Sequence, residues 1–315
     1  MREGVAKILS MCVLLLLPAV ARGESGSGGY EYLSVPVSVH SAALGGMNAT
    51  VAEDDISLVF ENPALLPNVS DKTLGMGFTS YIAGTNKLSA AWAQAWGERG
   101  TWCANVQYLS YGSMAETDEL GAEVGKISAS DVSVQGSYAY LLTDCLSGGV
   151  TAKFMFSNYG GYNAFAMGVD LGLNYMNADS GTSLSIVGRN LGGQLKAFYD
   201  KHESLPFDLC IGFSQELANA PVRFSVTMDD MTHWKGINFI QHFIFGVDIF
   251  PTQSTWLAVG YNIRRAREMK VADSSHWAGW SIGAGLSLRK IKVGVAYGRY
   301  HMAANSLMCN LAYGF

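Results

Sequence analysis

Several ordinary resources of a soluble catalytic domain or a helical membrane protein are missing from this chain. Past its first two dozen residues there is no run of about 18 apolar residues, so no later segment could cross the membrane as a helix. Proline is scarce, with 7 residues, and charged residues make up 15% of the chain against 49% apolar, which excludes disorder and allows one large domain. Lys and Arg gather nowhere beyond Arg264, Arg265 and Arg267, and the net charge is −5, so an electrostatic footprint for nucleic acid is absent. Cysteines number 5, spread out with no CxxC and no Cys-His spacing, which excludes a zinc ribbon and a disulfide framework. Free thiols at Cys103, Cys145, Cys210 and Cys309 are the simpler reading, with two disulfides left open. The six histidines, at 40, 202, 233, 242, 276 and 301, show no metal-ligand spacing. No cofactor, metal or catalytic residue is expected, and the chain is read as a non-enzyme.

The first 23 residues follow the order of a secretory signal peptide: Arg2 and Lys7, then the apolar run Val13 to Leu17, then small residues at Ala19-Val20-Ala21. Cleavage is expected after Ala21 or Gly23. The stretch from Ile8 to Val20 is too short for a signal-anchor helix. Cys12 precedes most of the leucine run, the wrong place for lipidation.

What the exported part does contain is alternation. Phe165, Met167, Val169, Leu171, Leu173 and Tyr175 interleave with Ala164, Ala166, Gly168, Asp170, Gly172 and Asn174, a period of two with one greasy face and one small or polar face. Residues 131–141 and 146–157 repeat it, with charges on the small face. About fourteen such segments are expected: 73–81, 87–96, 100–110, 131–141, 146–157, 164–175, 182–190, 205–217, 222–231, 239–250, 255–264, 279–288, 291–300 and 306–315. Most have the ~9–11 residues of a tilted membrane strand. Without an apolar helix only a closed barrel can span a bilayer, because unpaired backbone groups are too costly in hydrocarbon. The expected fold is therefore all-β, an antiparallel transmembrane barrel of about 14 strands over residues 71–315, with an N-terminal lumen plug over 24–70. A secreted β-sandwich also alternates, yet it would need polar residues on the face away from its core. Connections alternate in length, and the long set comprises 82–86, 111–130, 158–163, 191–204, 232–238, 265–278 and 301–305. Long loops outside and short periplasmic turns would put this set at the exterior of a bacterial outer membrane. The terminal Leu311-Ala312-Tyr313-Gly314-Phe315 is similar to the aromatic end of such barrels.

The stretch before the first strand reads Tyr30-Glu31-Tyr32-Leu33-Ser34-Val35-Pro36, then Ala42-Ala43-Leu44-Gly45-Gly46, Glu53-Asp54-Asp55 and Glu61-Asn62-Pro63-Ala64-Leu65-Leu66. It resembles the plug of the FadL superfamily of long-chain fatty-acid transporters and their relatives. Within that superfamily the chain resembles the PorQ family, outer-membrane barrels of the type IX secretion system. The stretches that carry this likeness include 125–129, Asn190-Leu191-Gly192-Gly193-Gln194-Leu195-Lys196, Leu205-Pro206-Phe207, 220–225, His233-Trp234 and Gly260-Tyr261-Asn262 with Arg264-Arg265. The resemblance implies a scaffold in the attachment complex, holding a PorZ-like surface protein beside the PorU–PorV pair, which processes cargo and links it to anionic lipopolysaccharide. Outer-membrane lipid and lipopolysaccharide are implied partners.

Candidate site residues fall into three sets. The plug motif comprises Leu44, Gly45, Gly46, Asp54, Asp55, Asn62, Pro63 and Ala64. Asn62-Pro63-Ala64 reads as structural, since Pro63 fixes its own φ and Asn62 can bond nearby backbone, with a substrate gate as the alternative. Glu53, Asp54 and Asp55 read as an ordinary solvated turn, with Ca²⁺ as the alternative. Phe198, Tyr199, Trp234, Met269 and Trp277 lie in the outer connections, where aromatics serve either a protein interface or a membrane-surface belt. Lys153, Asp170, Arg189, Arg223, Asp229 and Asp248 are expected to point into the lumen, where mutual pairing would leave little greasy path. A scaffold acting through loops 111–130, 191–204 and 265–278 is thus the first expectation. Its rival is a FadL-like conduit for an apolar small molecule, which needs an apolar pocket; a passive porin conflicts with a plug of roughly forty residues.

Overall fold

The computed structural model describes residues 30–81, 84–117, 123–199, 202–234, 238–269, 278–301 and 304–315. The expected signal peptide lies outside them. Fourteen strands follow in order: β1 Thr73–Ser80, β2 Asn86–Trp96, β3 Gly100–Thr117, β4 Glu123–Leu141, β5 Leu146–Tyr159, β6 Tyr162–Asn177 and β7 Thr182–Lys196. They continue as β8 Asp208–Glu216, β9 Val222–Met228, β10 Phe243–Thr252, β11 Thr255–Asn262, β12 Trp280–Leu288, β13 Ile291–His301 and β14 Ala304–Gly314. Each pairs antiparallel with its sequence neighbours, and β1 pairs with β14 from Thr73↔Gly314 to Ser80↔Leu307, which closes the barrel.

The period of two becomes two faces. On β5 the outward Phe154 and Phe156 are exposed, while Thr151, Lys153 and Met155 are buried on the lumen side. The outer wall carries Val169, Ile186, Phe224, Ile282 and Val295, all exposed and all apolar. This is the inverse of a soluble protein and the surface a hydrocarbon solvent requires.

The connections also form two sets. One end of the barrel has short turns, at 97–99, 142–145, 178–181, 217–221, 253–254 and 289–290. At the other, the loop end, three connections are long: 197–207, 229–242 and 263–279. The expected loop 111–130 is a correction, because most of it is strand. Pairing continues from Ser113↔Ser128 to Thr117↔Glu123 as a two-stranded ribbon beyond the barrel. Tyr111 and Gly112 form a bulge between the two paired stretches, with Gly112 at φ 76°, and this breaks the alternation that marks the strand in the sequence. Loop 158–163 shrinks to the turn Gly160-Gly161, and β7 runs on to Lys196. Segment 205–217 begins pairing only at Asp208, past Pro206, which has no N–H for a ladder. Segment 239–250 opens with a 3₁₀ turn, Phe239–His242, and 255–264 ends where Asn262 caps the helix Ile263–Glu268.

Residues 30–70 lie inside the barrel in short helical pieces: 3₁₀ turns at Glu31–Ser34, Ile56–Phe60 and Pro63–Asn68, and an α-helix at Val39–Ala43. Ser38, Asp55 and Asn62 cap three of them with side-chain oxygens, satisfying amides that no ladder reaches. The Val39–Ala43 helix packs on β11–β14, Ile56–Phe60 on β1 and β2, and Pro63–Asn68 on β3–β6.

Two substitutions on β6 check the faces. Val169→Arg puts a charge on the lipid side at a cost of roughly 2–4 kcal/mol near mid-membrane. Gly168→Ser adds a Cβ whose nearest neighbours are the ends of the Leu205 and Met155 side chains, at 3.3 and 3.4 Å, with the Asn190 Cα at 3.8 Å. The parent should shift mobility on SDS gels when heated, Gly168→Ser should do the same, and Val169→Arg should yield much less of the heat-shifting form.

Candidate functional site

The inward charges expected on the strands meet charges on the plug, and the contacts between them form the candidate site. Its centre is His40, fully buried on the Val39–Ala43 helix. The His40 Nε2 donates to Asp248 Oδ1 of β10 at 2.7 Å, and Nδ1 lies 3.2 Å from Glu53 Oε2. From β9, Arg223 reaches the same two carboxylates, with Nε donating to Asp248 Oδ2 at 2.8 Å and Nη2 lying 2.7 Å from Glu53 Oε1. Trp256 of β11 lies flat on the imidazole, ring centroids 3.9 Å apart and planes 2° from parallel. Two cations and two anions thus neutralise one another, with two members on the plug and two on the wall; His40, Arg223 and Asp248 are buried and Glu53 is part-exposed. Such a group holds by mutual pairing, and removing one member strands a buried charge.

Burial alone would lower the His40 pKa, but the carboxylates of Glu53 and Asp248 outweigh it and raise it to about 10. Burial would raise that of Glu53, and His40 and Arg223 hold it well below the usual carboxylate range instead. Both groups are therefore charged at neutral pH, as a proton on each imidazole nitrogen requires.

Further ties surround this clamp. Arg265, from the helix at the loop end, donates to the Gly45 carbonyl at 2.6 Å and lies over the Tyr300 ring, whose hydroxyl donates to Ala42 O at 3.0 Å. Gly45 has φ 110°, and a Cβ there would come within 2.3 Å of Ile244, so only glycine lets the plug press on β10. Leu44 covers Gly246, and Gly46 sits beside Tyr300. Lys87 of β2 donates to the Tyr32 and Val35 carbonyls at 3.2 and 2.6 Å. Arg189 of β7 lies 3.3 Å from Glu61 Oε2. Asn62 spans the plug, its Nδ2 donating to Ala49 O and its Oδ1 accepting from Ala64 N, both at 2.9 Å. Pro63 and Ala64 press so close to β5 that a Cβ on Gly149 would lie 2.4 Å from the Pro63 carbonyl carbon.

The acidic run Glu53-Asp54-Asp55 is not the solvated turn expected. Its three carboxylates diverge: Glu53 into the clamp, Asp54 to Ser70 and Lys292, and Asp55 to the amide and hydroxyl of Ser57 at 2.9 and 2.8 Å. Of the lumen charges, Lys153 pairs with Asp170 at 2.6 Å, and Asp170 also accepts from Asn190 N at 2.7 Å. Asp229 opens the 229–242 connection just past the end of β9 at Met228, with its carboxylate Oδ1 buried. Phe198 stacks on Tyr159 and Tyr199 packs on Tyr162, at 4.9 and 4.7 Å between centroids. Trp234 packs against Phe239 and His242, and Met269 follows the Ile263–Glu268 helix. Trp277 lies outside the described residues.

Sequence reasoning passes over His40, Glu61, Trp256 and Tyr300, whose partners lie far along the chain; His40 and Asp248 are 208 positions apart. It also passes over Gly279-Trp280-Ser281-Ile282-Gly283, which has the spacing of a hydrolase nucleophile elbow. Ser281 lies within continuous β12 and accepts from Arg265 at 3.3 Å, and among the described residues no histidine is bonded to it.

Comparison with protein families found no matching family, and comparison with curated proteins found no relative. Among solved structures the chain is similar to the toluene transporter TodX of Pseudomonas putida, with 11% identity over 87% of this chain and 95% of that one and a TM-score of 0.56. It is also similar to CymD, a monoaromatic hydrocarbon channel (14% identity, 89% and 97% covered, TM-score 0.56). A Pseudomonas aeruginosa FadL homologue matches at 9% identity over 88% and 98%, with a TM-score of 0.54. At these identities the likeness is one of fold.

Two predictions follow from the clamp. Arg223→Gln removes the partner of the buried Asp248, and breaking a buried pair costs about 3–5 kcal/mol; urea unfolding of the detergent-solubilised chain should show a loss of that order. The pH dependence has a definite sign. Because the folded pKa of His40 is raised, its contribution is complete below about 6.5, its ordinary value, and fades as pH climbs through about 10. Glu53 is depressed, so its contribution is complete above its ordinary value and disappears only in strong acid. Protease cleavage within the plug should therefore rise between pH 7 and 10.5 in the parent, and His40→Gln should show a shallower rise over that window.

Proposed function

We propose that this chain is a non-catalytic outer-membrane barrel whose plugged lumen makes it a rigid mount for a surface protein at its loop end. The observation that carries this reading is the clamp: a largely buried plug is tied to β2, β7, β9, β10 and β13 by charged side chains. A molecule moving through the lumen would have to break several buried ion pairs, whereas a mount gains stiffness from each. The apolar wall and the likeness to FadL-type barrels support the outer-membrane location, and the length of the loop-end connections supports their facing the exterior.

The finer reading rests on the resemblance to type IX secretion barrels. In it the loop end, with the β3–β4 ribbon and the 197–207 connection, holds a PorZ-like protein and through it the PorU–PorV attachment complex, which links cargo to anionic lipopolysaccharide. Phe198 and Tyr199 are the anchors we assign to that face, since large aromatics tend to supply the hot spots of an interface. The alternative, a conduit for a hydrophobic small molecule, is favoured by the likeness to hydrocarbon channels. It requires the plug to rearrange.

The test measures partner retained on washed cells and uptake of a hydrophobic probe in the same strains, with barrel level as the control. In the scaffold reading, Phe198→Ala with Tyr199→Ala should release the partner, because loss of a hot spot of about 2 kcal/mol weakens binding roughly 30-fold, and uptake should not depend on the barrel at all. Retention unchanged in the loop variant, together with uptake that falls when the barrel is deleted, would replace the scaffold with the conduit.

A further inference from the structure

The outer wall is not uniform around its circumference. On β10 the exposed Phe245 packs on Phe243 at 6.1 Å, Phe243 meets Phe239 at 5.2 Å, and Phe239 stacks beside Trp234 at 6.2 Å. These four rings form one column that starts on the lipid-facing wall and climbs over the loop-end rim, with Phe239, Ile240 and Trp234 all exposed. The most basic stretch of the sequence adjoins it. The Ile263–Glu268 helix packs on the Phe239–His242 turn. Within that helix Arg265 is buried and reaches inward to Gly45, so Arg267, two positions and about 200° further on, lies on the outward face, where it is exposed. Arg264 is fixed beside it by Asp230 and Glu268.

An exposed aromatic column continuous with the hydrocarbon-facing wall is suited to acyl chains and to the headgroup boundary, and a cation just above the boundary attracts an anionic headgroup. We infer that this rim is a binding site for an anionic, phosphate-bearing lipid, whose acyl chains lie along Phe243 and Phe245 and whose phosphate faces Arg267. Continuity with the wall favours a lipid over a soluble anion. The same geometry makes Trp234 a lipid-contacting residue and takes it out of the partner face.

The experiment is a titration of the detergent-solubilised full chain, read by native mass spectrometry, with a bis-phosphorylated glycolipid, with phosphatidylcholine and with inorganic phosphate. The parent should prefer the glycolipid to phosphatidylcholine several-fold and should bind inorganic phosphate negligibly. Arg267→Gln should weaken the glycolipid about fivefold, the effect of one cation near a lipid surface. Phe239→Ser should weaken both lipids, and Lys290→Gln, at the opposite rim, should change nothing. Heat-shifted gel mobility verifies that each variant is folded, and the parent's preference among lipids needs no variant. Equal affinity for the two lipids would overturn the site. So would weakening by Lys290→Gln without weakening by Arg267→Gln, or inorganic phosphate binding as well as the glycolipid does.

Discussion

Backbone amides and carbonyls cannot be left unpaired in hydrocarbon, and everything else in this protein is arranged around that constraint. The β1–β14 ladder satisfies it by closing the sheet, so no edge faces lipid. Closure turns the period of two into an inside and an outside. A 14-stranded wall encloses a lumen that its own side chains do not fill, and the plug occupies the remainder. Once the plug is inside, charges such as His40, Arg223 and Asp248 lose most of their water, so they must meet partners. His40, Glu53, Arg223 and Asp248 are the outcome: two cations and two anions from four separate segments, none of which would be stable in that space alone.

The wall was legible in the sequence because strand alternation is a local signal that needs no partner to be read. Phe154 and Phe156 against Lys153 declare the faces of β5 whatever lies across from them. Legibility stops where local pattern stops. The β3–β4 ribbon was hidden by one bulge at Tyr111-Gly112, which shifts the phase of the alternation. The plug motif was visible, because glycine and Asn-Pro pairs constrain the backbone around them, but its attachments were not. Glu53, Asp54 and Asp55 look alike in sequence, and only the folded chain gives each a different partner. His40 carries no sequence signal, since its significance lies in Asp248 and Trp256, which no spacing rule connects to it.

The fold shared with FadL-type barrels and the plug's ties to the wall are separate features, and physical chemistry explains how they combine. The barrel supplies a membrane-compatible wall; what passes, or fails to pass, depends on how tightly the interior is held. An interior of apolar contacts can shift at small cost, because dispersion contacts are individually weak and can be exchanged for others. Here the interior is held by buried ion pairs, for which displacement by even a few ångströms leaves a charge without compensation. How firmly the plug is held can thus reside in a few side chains, such as Arg223 and His40, within a shared architecture.

The clamp also constrains the order of assembly. His40 is made early in synthesis, but Asp248, Arg223 and Lys292, which secure the plug, come from strands that arrive much later. Contacts between such distant parts of a chain form slowly, because a long loop must be closed before any of them is gained. The ties between plug and wall are thus complete only when the last strands are in place.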